Sequence, residues 1–436
     1  MERKTIEENK NGARDYAVLV GLRSPVLGAD SADEESLAEL AALVETAGGE
    51  SVGMILQSRE KPDPHSFIGE GKVEEVKRMV ENSEATMVIF DNDLSPSQVR
   101  VLTELCGVQV LDRSGLILDI FAQRARTKEG CLQVELAQYQ YLLPRLIGMW
   151  SHLERQGGTG GSPIGTKGPG ETQLETDRRH IHRKIDKLKE ELEEVRRVRN
   201  TQRQRRMKNE IPVVAIVGYT NAGKSTLLNA ITGAGIPANN RLFDTLDTTT
   251  RLLTVSDTLD VVISDTVGFI RKLPHQLVEA FKATLEELEY ADLLLHVIDL
   301  SNPQWAQQAQ VVDDLIRELK ADHIPCLRVY NKCDLAFSGA LPREKDSVYI
   351  SAKTGEGIKR LLQAVDEKLD KGTRRVTIHL PYDKAGLLDG LYREAKVENV
   401  EYGETVDVTA VCTPRIMGQL KDYIEGWQEE KEDWEQ

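Results

Sequence analysis

The stretch from Ile211 to Gly233, IPVVAIVGYTNAGKSTLLNAITG, decides the fold of the middle of the chain. Its apolar beginning predicts a buried strand, and its end predicts a helix. The letters between them, GYTNAGKS, have the full spacing of a phosphate-binding loop in the strand, loop and helix context that such a loop requires. Backbone N–H groups can surround the phosphates, Lys224 can reach the β- and γ-phosphates, and Ser225 can ligate Mg²⁺. We therefore expect a P-loop nucleotide site here.

A second apolar strand, LDVVISDTVGF, follows downstream and ends at Asp265. A carboxylate at this place in a P-loop site holds the metal, usually through water, and Gly268 can offer its backbone N–H to a γ-phosphate. We expect one threonine of the connecting segment to add its hydroxyl to Mg²⁺ only when the γ-phosphate is present, which gives an ordered and a released state. Spacing leaves four candidates open: Thr245, Thr248, Thr249 and Thr250.

The strand CLRVYNKCD indicates which base is bound. A carboxylate at Asp334 can accept hydrogen bonds from N1–H and the N2 amine of guanine, whereas adenine has no such pair of donors, and a buried carboxylate left unpaired is costly. Next along the chain, VYISAKTGEG places the backbone of Ser351, Ala352 and Lys353 where it can meet guanine O6. The P-loop, DTVG, NKCD and SAK motifs each lie at the end of an apolar strand and follow one another in the expected order. Together they predict selectivity for GTP over ATP.

Flanking segments predict two further folded regions. From Tyr16 to about Gln123, short apolar runs alternate with helical periods, which is typical of βα repeats and a parallel sheet. After Lys371 the order strand, helix, strand, strand, helix predicts a small α+β domain. The fold class is therefore α/β, and we expect domains at 1–127 (βα), 128–209 (helical hairpin), 210–371 (nucleotide-binding) and 372–436 (α+β).

Two long amphipathic helices should form the hairpin, because apolar residues recur at alternating spacings of four and three in both of its arms. The first arm should kink at Pro144. The second should span some 25 to 30 residues, or roughly 40 Å. The apolar positions are Leu132, Leu136, Tyr139, Leu143, Leu146, Trp150 and Leu153 in the first arm, and Ile181, Ile185, Leu188, Leu192 and Val195 in the second.

The glycine-rich stretch GGTGGSPIGTKGPGETQ, from Gly157 to Gln173, connects these arms. It is not a phosphate cradle, because Thr166 precedes Lys167 where a glycine is needed, and Gly168 with Pro169 predict that no helix starts there. A solvated linker is one interpretation of this stretch. The arms on both sides favour the other, a probe at the tip of a stalk that orders on binding a partner.

Composition limits the function classes. The 436 residues are 40% hydrophobic and 29% charged, and no apolar run approaches the roughly 18 residues that span a bilayer. The first residues are charged and lack the apolar stretch of a signal peptide, so we expect no secretion by that route. Five scattered cysteines predict a reducing cytoplasm. The net charge of −15 argues against general nucleic-acid binding, but the basic residues from Arg196 to Lys208, expected to face no acidic partners, could neutralise RNA phosphates. A solvated helix face is the equal alternative.

Several motifs together resemble the HflX-type GTPases, a ribosome-associated, translation-factor-related P-loop family, over nearly the whole chain. They are GYTNAGKST, FDTLD, DTVG, NKCD, SAK and the upstream GGTGGSPIGTKGPGETQLETDRR. The resemblance implies that Thr245 is the loop threonine and that Ser225 and Thr245 ligate Mg²⁺. The family commonly has proline after the aspartate of this loop, where Asp247 is followed by Thr248, and frequently alanine in place of Asp244. These departures concern the conformation of the loop that carries Thr245, and not nucleotide binding itself.

The expected site combines both lines of reasoning. Catalytic roles fall to Lys224, Thr245 and Gly268, and metal binding to Ser225 and Thr245. The nucleotide-binding residues are Gly218, Tyr219, Thr220, Asn221, Ala222, Gly223, Lys224, Ser225, Thr226, Phe243, Asp244, Thr245, Leu246, Asp247, Asp265, Thr266, Val267, Gly268, Asn331, Lys332, Cys333, Asp334, Ser351, Ala352 and Lys353.

Hydrolysis should be slow without help. Many GTPases place a water-orienting glutamine just after the DTxG glycine, but Phe269 stands there and cannot hydrogen-bond water. A partner, a monovalent cation or another residue must supply this role, and Asn221 resembles the asparagine that supports K⁺ binding in related GTPases. The resemblance implies that the partner is the large ribosomal subunit and its RNA, with the glycine loop entering the peptidyl transferase region and stalled ribosomes being split. We expect a monomer without DNA binding or membrane insertion.

Two alternatives stay open. The chain could be a GTP switch that acts on a non-ribosomal protein through its helical arm. Its N-terminal domain could also be a separate ATP-using enzyme, since Gly69 and Gly71 precede a helix, although two glycines more often mark a turn.

Overall fold

The computed structural model describes most of the chain. The described residues are 14–156, 169–207, 211–233, 242–243, 249–256, 259–266, 268–274, 277, 288–335, 344, 346–369, 372, 374–384 and 386–424. The glycine-rich connection at 157–168 and the segment 244–248 lie outside them. Within the described residues, no helix is long and apolar enough to cross a membrane.

The first region, which we call the N-terminal domain, is a four-stranded parallel sheet with the order β2-β1-β3-β4. Its strands are β1 (Tyr16–Arg23), β2 (Glu50–Ser58), β3 (Met87–Phe90) and β4 (Gln109–Asp112), and its helices are α1 (Glu34–Ala47), α2 (Glu70–Ser83), α3 (Pro96–Cys106) and α4 (Arg113–Arg124). Asp33 and Ser36 form a capping box that starts α1, and Gly48 ends it in the left-handed conformation. The βα repeats expected from the sequence are confirmed.

Two long helices follow as an antiparallel pair, which we call the stalk. They are α5 (Lys128–Gln156), which runs through Pro144, and α6 (Pro169–Met207). Nine of the predicted apolar positions form one seam. Its buried members are Leu132, Leu136, Ile185, Leu188 and Leu192, and Tyr139, Leu143, Ile181 and Val195 pack against them. The side chains of Leu146, Trp150 and Leu153 lie outside the described residues. At 39 residues, α6 extends about 58 Å, which is longer than the sequence suggested.

Two expectations about α6 are wrong. The helix begins at Pro169, where none was expected to start, because the fixed φ of proline suits a first helical turn and its missing N–H has no partner there in any case. The basic residues near its end also do not all lack acidic partners. The Arg197 guanidinium lies 3.2 Å from the Glu194 carboxylate, one turn earlier on the exposed surface.

The third region, which we call the G domain, is a six-stranded sheet with the order β10-β9-β8-β5-β7-β6, in which only β6 and β7 pair antiparallel. Its strands are β5 (Val213–Gly218), β6 (Thr249–Ser256), β7 (Leu259–Asp265), β8 (Leu293–Asp299), β9 (Cys326–Asn331) and β10 (Ser347–Tyr349). Its helices are α7 (Lys224–Thr232), α8 (Trp305–Glu318) and α9 (Ile358–Leu369). The carboxyl ends of β5, β7, β8 and β9 meet at one edge, where ligands of such sheets bind.

The last region is a small antiparallel sheet with the order β11-β13-β12 and two short helices, as the α+β pattern predicted. Its elements are β11 (Arg374–Leu380), α10 (Leu387–Glu394), β12 (Lys396–Tyr402), β13 (Val406–Cys412) and α11 (Pro414–Gln419).

One apolar core joins the N-terminal domain to the G domain. Leu40 and Phe121 of the first share it with Phe243, Phe269 and Ile270 of the second. The rings of Phe121 and Phe243 meet edge to face with centroids 4.6 Å apart. Segments that flank the nucleotide site are therefore packed against another domain.

Candidate nucleotide site

The P-loop connects β5 to α7, and its glycines stand where no side chain fits. A Cβ on Gly218 would lie 2.4 Å from the carbonyl oxygen of Val297 on the neighbouring strand β8. A Cβ on Gly223, whose φ is +93°, would lie 2.3 Å from the side-chain amide of Asn331. The spacing read from the sequence is thus a steric requirement of this loop.

Lys224 begins α7 and turns back over the loop. Its ammonium group donates hydrogen bonds to the carbonyl oxygens of Gly218 (3.0 Å) and Tyr219 (2.8 Å). Burial lowers the pKa of Lys224 to about 8, although the carboxylate of Asp265 acts in the opposite direction. A buried cation whose two hydrogen bonds go to carbonyl oxygens is suited to an anionic ligand, which phosphates would supply.

Two oxygen groups meet beside the loop. Asp265, fully buried at the end of β7, accepts a hydrogen bond from the Ser225 hydroxyl at 2.9 Å. A carboxylate and a hydroxyl are the oxygen ligands that Mg²⁺ prefers, so these residues fit the ion. Thr245, the other expected ligand, lies outside the described residues, as do Asp244, Leu246, Asp247 and Val267.

The DTVG segment is hydrogen-bonded to the P-loop. The Thr220 N–H donates to the Phe269 carbonyl at 2.7 Å, and the Phe269 N–H donates to the Gly218 carbonyl at 3.1 Å. A Cβ on Gly268 would lie 2.9 Å from the Thr220 methyl carbon and 3.0 Å from the Lys224 ammonium nitrogen, so a larger residue would have to displace these side chains. The ring of Phe269 is buried in the core shared by the two domains and offers nothing to a water molecule at the site.

Asn331 joins the two base-recognition motifs, NKCD and SAK, to the P-loop. Its side-chain N–H donates to the Ala222 carbonyl of the P-loop at 2.8 Å, and its side-chain oxygen accepts from the Ala352 N–H at 3.0 Å. Lys332 has φ +61° and places its ammonium 2.7 Å from Asp299 at the end of β8. Asp334 follows on the exposed surface, where its carboxylate is accessible to a base.

The remaining expected residues also lie at this edge. Ser351 is buried and accepts a hydrogen bond at its hydroxyl from the Thr354 N–H, which shapes the turn after β10. Thr266 donates its hydroxyl proton to the Ile216 carbonyl and so links β7 to β5. Cys333 donates its thiol proton to the Tyr330 carbonyl and has no evident part in binding.

Family models match consecutive parts of the chain. They are described as GTP-binding GTPase N-terminal (residues 34–122), GTP-binding GTPase middle region (124–206), 50S ribosome-binding GTPase (213–332) and HflX C-terminal domain (340–434). The chain belongs to the HflX family of GTPases. The resemblance noted in the sequence is confirmed, and the enzyme hydrolyses GTP.

Two GTPases HflX are similar to this chain over most of its length. A GTPase HflX of Caldanaerobacter subterraneus subsp. tengcongensis is 48% identical over 412 residues, which cover 94% of each chain. The GTPase HflX of Escherichia coli K12 is 47% identical over 372 residues, or 84% of this chain and 86% of that one. Among solved structures, a GTP-binding protein from Sulfolobus solfataricus in complex with GDP is 25% identical, with a TM-score of 0.43, and covers 81% of this chain and 98% of that one.

Sequence reasoning missed one set of residues at this HflX site. Four charged side chains lie in the interface between the N-terminal domain and the G domain, close to the P-loop: Glu39, Asp91, Arg113 and Lys272. No motif or spacing indicates them, because they come from different elements that meet only once the two domains pack.

Proposed function

We propose that this GTPase binds the large ribosomal subunit in the cytoplasm, splits or rescues stalled ribosomes, and hydrolyses GTP faster when bound to them. The observation that carries the proposal is the stalk, a rigid pair of long helices whose connection is glycine-rich. The family description of residues 213–332 as a 50S ribosome-binding GTPase supports it. We further propose a monomer whose domains divide at 127/128, 209/210 and 371/372.

The stalk suits a narrow RNA cavity. Its seam is apolar and buried, which stiffens the pair, while the connection at 157–168 carries small side chains that a crowded site can admit. Arg196 and Arg197 are exposed near the end of α6, where positive charge can approach phosphates. The surface pair of Arg197 with Glu194 is weak and would not prevent that contact.

In the nucleotide site, different residues would bind the phosphates, the metal ion and the guanine base. Lys224 would bind the β- and γ-phosphates, Gly268 would donate its backbone N–H to the γ-phosphate, and Asp334 would select guanine. Mg²⁺ held by Ser225 and Thr245 would neutralise charge between the two phosphates. Each of these groups acts by position and charge, because phosphoryl transfer needs little else from the protein.

The group that orients water must come from elsewhere, since Phe269 is buried away from the site. We propose that K⁺ near Asn221 contributes, because this residue is exposed at the rim of the P-loop with φ +61°. Turnover of the isolated protein should be several-fold faster in K⁺ than in Na⁺ at equal ionic strength. Equal rates in the two salts would remove K⁺ from the proposal.

A sucrose gradient with intact ribosomes tests the proposed partner. With a non-hydrolysable GTP analogue the protein should comigrate with the large subunit and the subunits should separate, and with GDP it should do neither. A variant lacking Gly157–Gly170 should bind GTP normally but lose ribosome-dependent turnover. Cosedimentation that is the same with either nucleotide, or full ribosomal stimulation of the deletion variant, would contradict the proposal.

A further inference from the structure

Tyr219 belongs to the P-loop through its backbone and to the domain interface through its side chain. Its backbone is part of the P-loop, and its carbonyl accepts a hydrogen bond from Lys224. Its phenol points away from the phosphates into the domain interface, where the hydroxyl donates to the Glu39 carboxylate at 2.5 Å and accepts from the Arg271 N–H at 2.9 Å. One hydroxyl therefore joins helix α1 of the N-terminal domain to the segment that follows the DTVG glycine.

Glu39 is itself held by a chain of charges. Its carboxylate pairs with Arg113, the Arg113 guanidinium lies 2.7 Å from the Asp91 carboxylate, and Asp91 accepts from the Lys272 ammonium at 2.5 Å. Only 1% of the Arg113 side chain is exposed and none of Asp91. Two cations meet two anions in a buried place, so the set is neutral and each charge has its partner.

The charge states agree with this arrangement. Burial would raise the pKa of Asp91, but Arg113 and Lys272 outweigh it and lower that pKa. Burial and the neighbouring Glu39 raise the pKa of Tyr219, so its hydroxyl keeps the proton that it donates. Around neutral pH, Asp91 is a carboxylate and Tyr219 a neutral phenol, as the hydrogen bonds require.

We propose that Glu39 is a positioning residue for GTP hydrolysis, which acts through the Tyr219 hydroxyl to fix the segment carrying the Gly268 N–H. The two ends of that segment are restrained differently. Phe269 exchanges two backbone hydrogen bonds with the P-loop, whereas the Arg271 backbone N–H is bonded, within the described part of the chain, to the Tyr219 side-chain hydroxyl. At Lys272 the segment is tied to the N-terminal domain through Asp91.

This arrangement predicts an effect on GTP and not on GDP. The Gly268 N–H can contact only a γ-phosphate, which GDP lacks. The Lys224 ammonium and the backbone of the P-loop, which hold the phosphates common to both nucleotides, do not depend on the Tyr219 hydroxyl. The Gly268 N–H can stabilise the transition state only if it is held in position beforehand, so it should stabilise that state less when its segment is free to move.

The test uses the full-length chain without ribosomes, so its result is independent of the proposed ribosomal function. Tyr219→Phe removes the hydroxyl and keeps the ring, and Glu39→Gln removes the charge and keeps the shape. Each should lower kcat about tenfold and weaken binding of a non-hydrolysable GTP analogue several-fold, while the Kd for GDP stays within about twofold. The double variant should be no slower than the slower single variant, because both act through one connection.

Glu34→Gln is the matched control. Glu34 lies on the same helix α1, but it is exposed and pairs with Arg23 of β1, within the N-terminal domain. This variant should turn over GTP at the wild-type rate. Thermal unfolding of all variants separates an effect on position from a loss of folded protein, and Tyr219→Phe, which removes a single oxygen, keeps the test valid if Glu39→Gln unfolds.

Three results would overturn the proposal. Wild-type kcat in Tyr219→Phe would show that the hydroxyl has no part in hydrolysis. Equal losses of GDP and GTP-analogue affinity would show that the network supports only the P-loop itself. Multiplicative losses in the double variant would show that Glu39 and Tyr219 act separately.

Discussion

At the scale of single residues, the environment of Lys224 makes nucleotide binding depend on pH. Its pKa is lowered to about 8 because the ammonium is buried. Phosphates bind the charged form, so above pH 8 the lysine must take up a proton before it can pair with GDP. Affinity should therefore be constant below pH 8 and fall as pH rises above it.

Calorimetric titration of GDP checks this expectation. The Kd should rise by up to about tenfold per pH unit between pH 8 and 10, with proton uptake on binding. Lys224→Arg is the control, because a guanidinium stays charged over this range. Ionisation of the guanine base affects both proteins alike, so the difference between them isolates the lysine. A wild-type curve that parallels the arginine variant would mean that the lysine is fully charged before GDP binds.

Residues of the site differ in how far the sequence could predict them. Asn331 ends a buried strand, Ala352 follows shortly after another, and Lys224 begins the helix after the P-loop. Parallel strands bring their ends to one edge, so the meeting of these residues could be foreseen. The contact between Tyr219 and Glu39 joins positions 180 apart in the chain. It depends on how two separately folded sheets pack against each other, and no local pattern encodes that packing.

At the scale of elements, the stalk owes its stiffness to one seam. The four-three spacing predicted the seam because it follows directly from helical geometry, whereas the start of α6 at Pro169 was missed because proline breaks helices but also begins them. Leu188 is the most deeply buried member of the seam, with 2% exposure. The seam is a separate cluster from the cores of the two domains, so it can be weakened without altering the nucleotide site.

Leu188→Ala should lower the free energy of unfolding of the stalk by about 2–4 kcal/mol, because it leaves a cavity between α5 and α6. Hydrogen exchange along α6 should accelerate, and intrinsic GTP turnover should stay at the wild-type rate. Lys189→Ala, at an exposed position one residue away, should change neither quantity. Slower intrinsic turnover in Leu188→Ala would show that the stalk and the nucleotide site are coupled even without a partner.

At the scale of the whole molecule, α4 and its N-cap contact the stalk, the charge network at the domain interface and the core beside the nucleotide site. Asp112, which caps its first turn, accepts hydrogen bonds from Tyr141 and Arg145 of the stalk helix α5. Arg113 belongs to the charge network at the interface, and Phe121 packs against Phe243 beside the nucleotide site. One helix therefore lies between the base of the stalk and the segments beside the nucleotide site.

Arg145→Met should uncouple the two ends of this connection. The Arg145 guanidinium lies 2.6 Å from the fully buried Asp112 carboxylate and 3.4 Å from the ring centre of Tyr141, and methionine keeps the apolar stem while removing both contacts. Loss of a partner from a buried carboxylate should cost about 3 kcal/mol of stability. Intrinsic turnover should stay within about twofold of wild type, because the charge network and the P-loop are untouched, while stimulation by ribosomes should fall severalfold.

The control is Arg78→Met, which removes an exposed pair with Glu74 on α2 and should leave both rates unchanged. Wild-type stimulation in Arg145→Met, with ribosome binding intact, would mean that the signal reaches the G domain directly and that α4 only supports the fold.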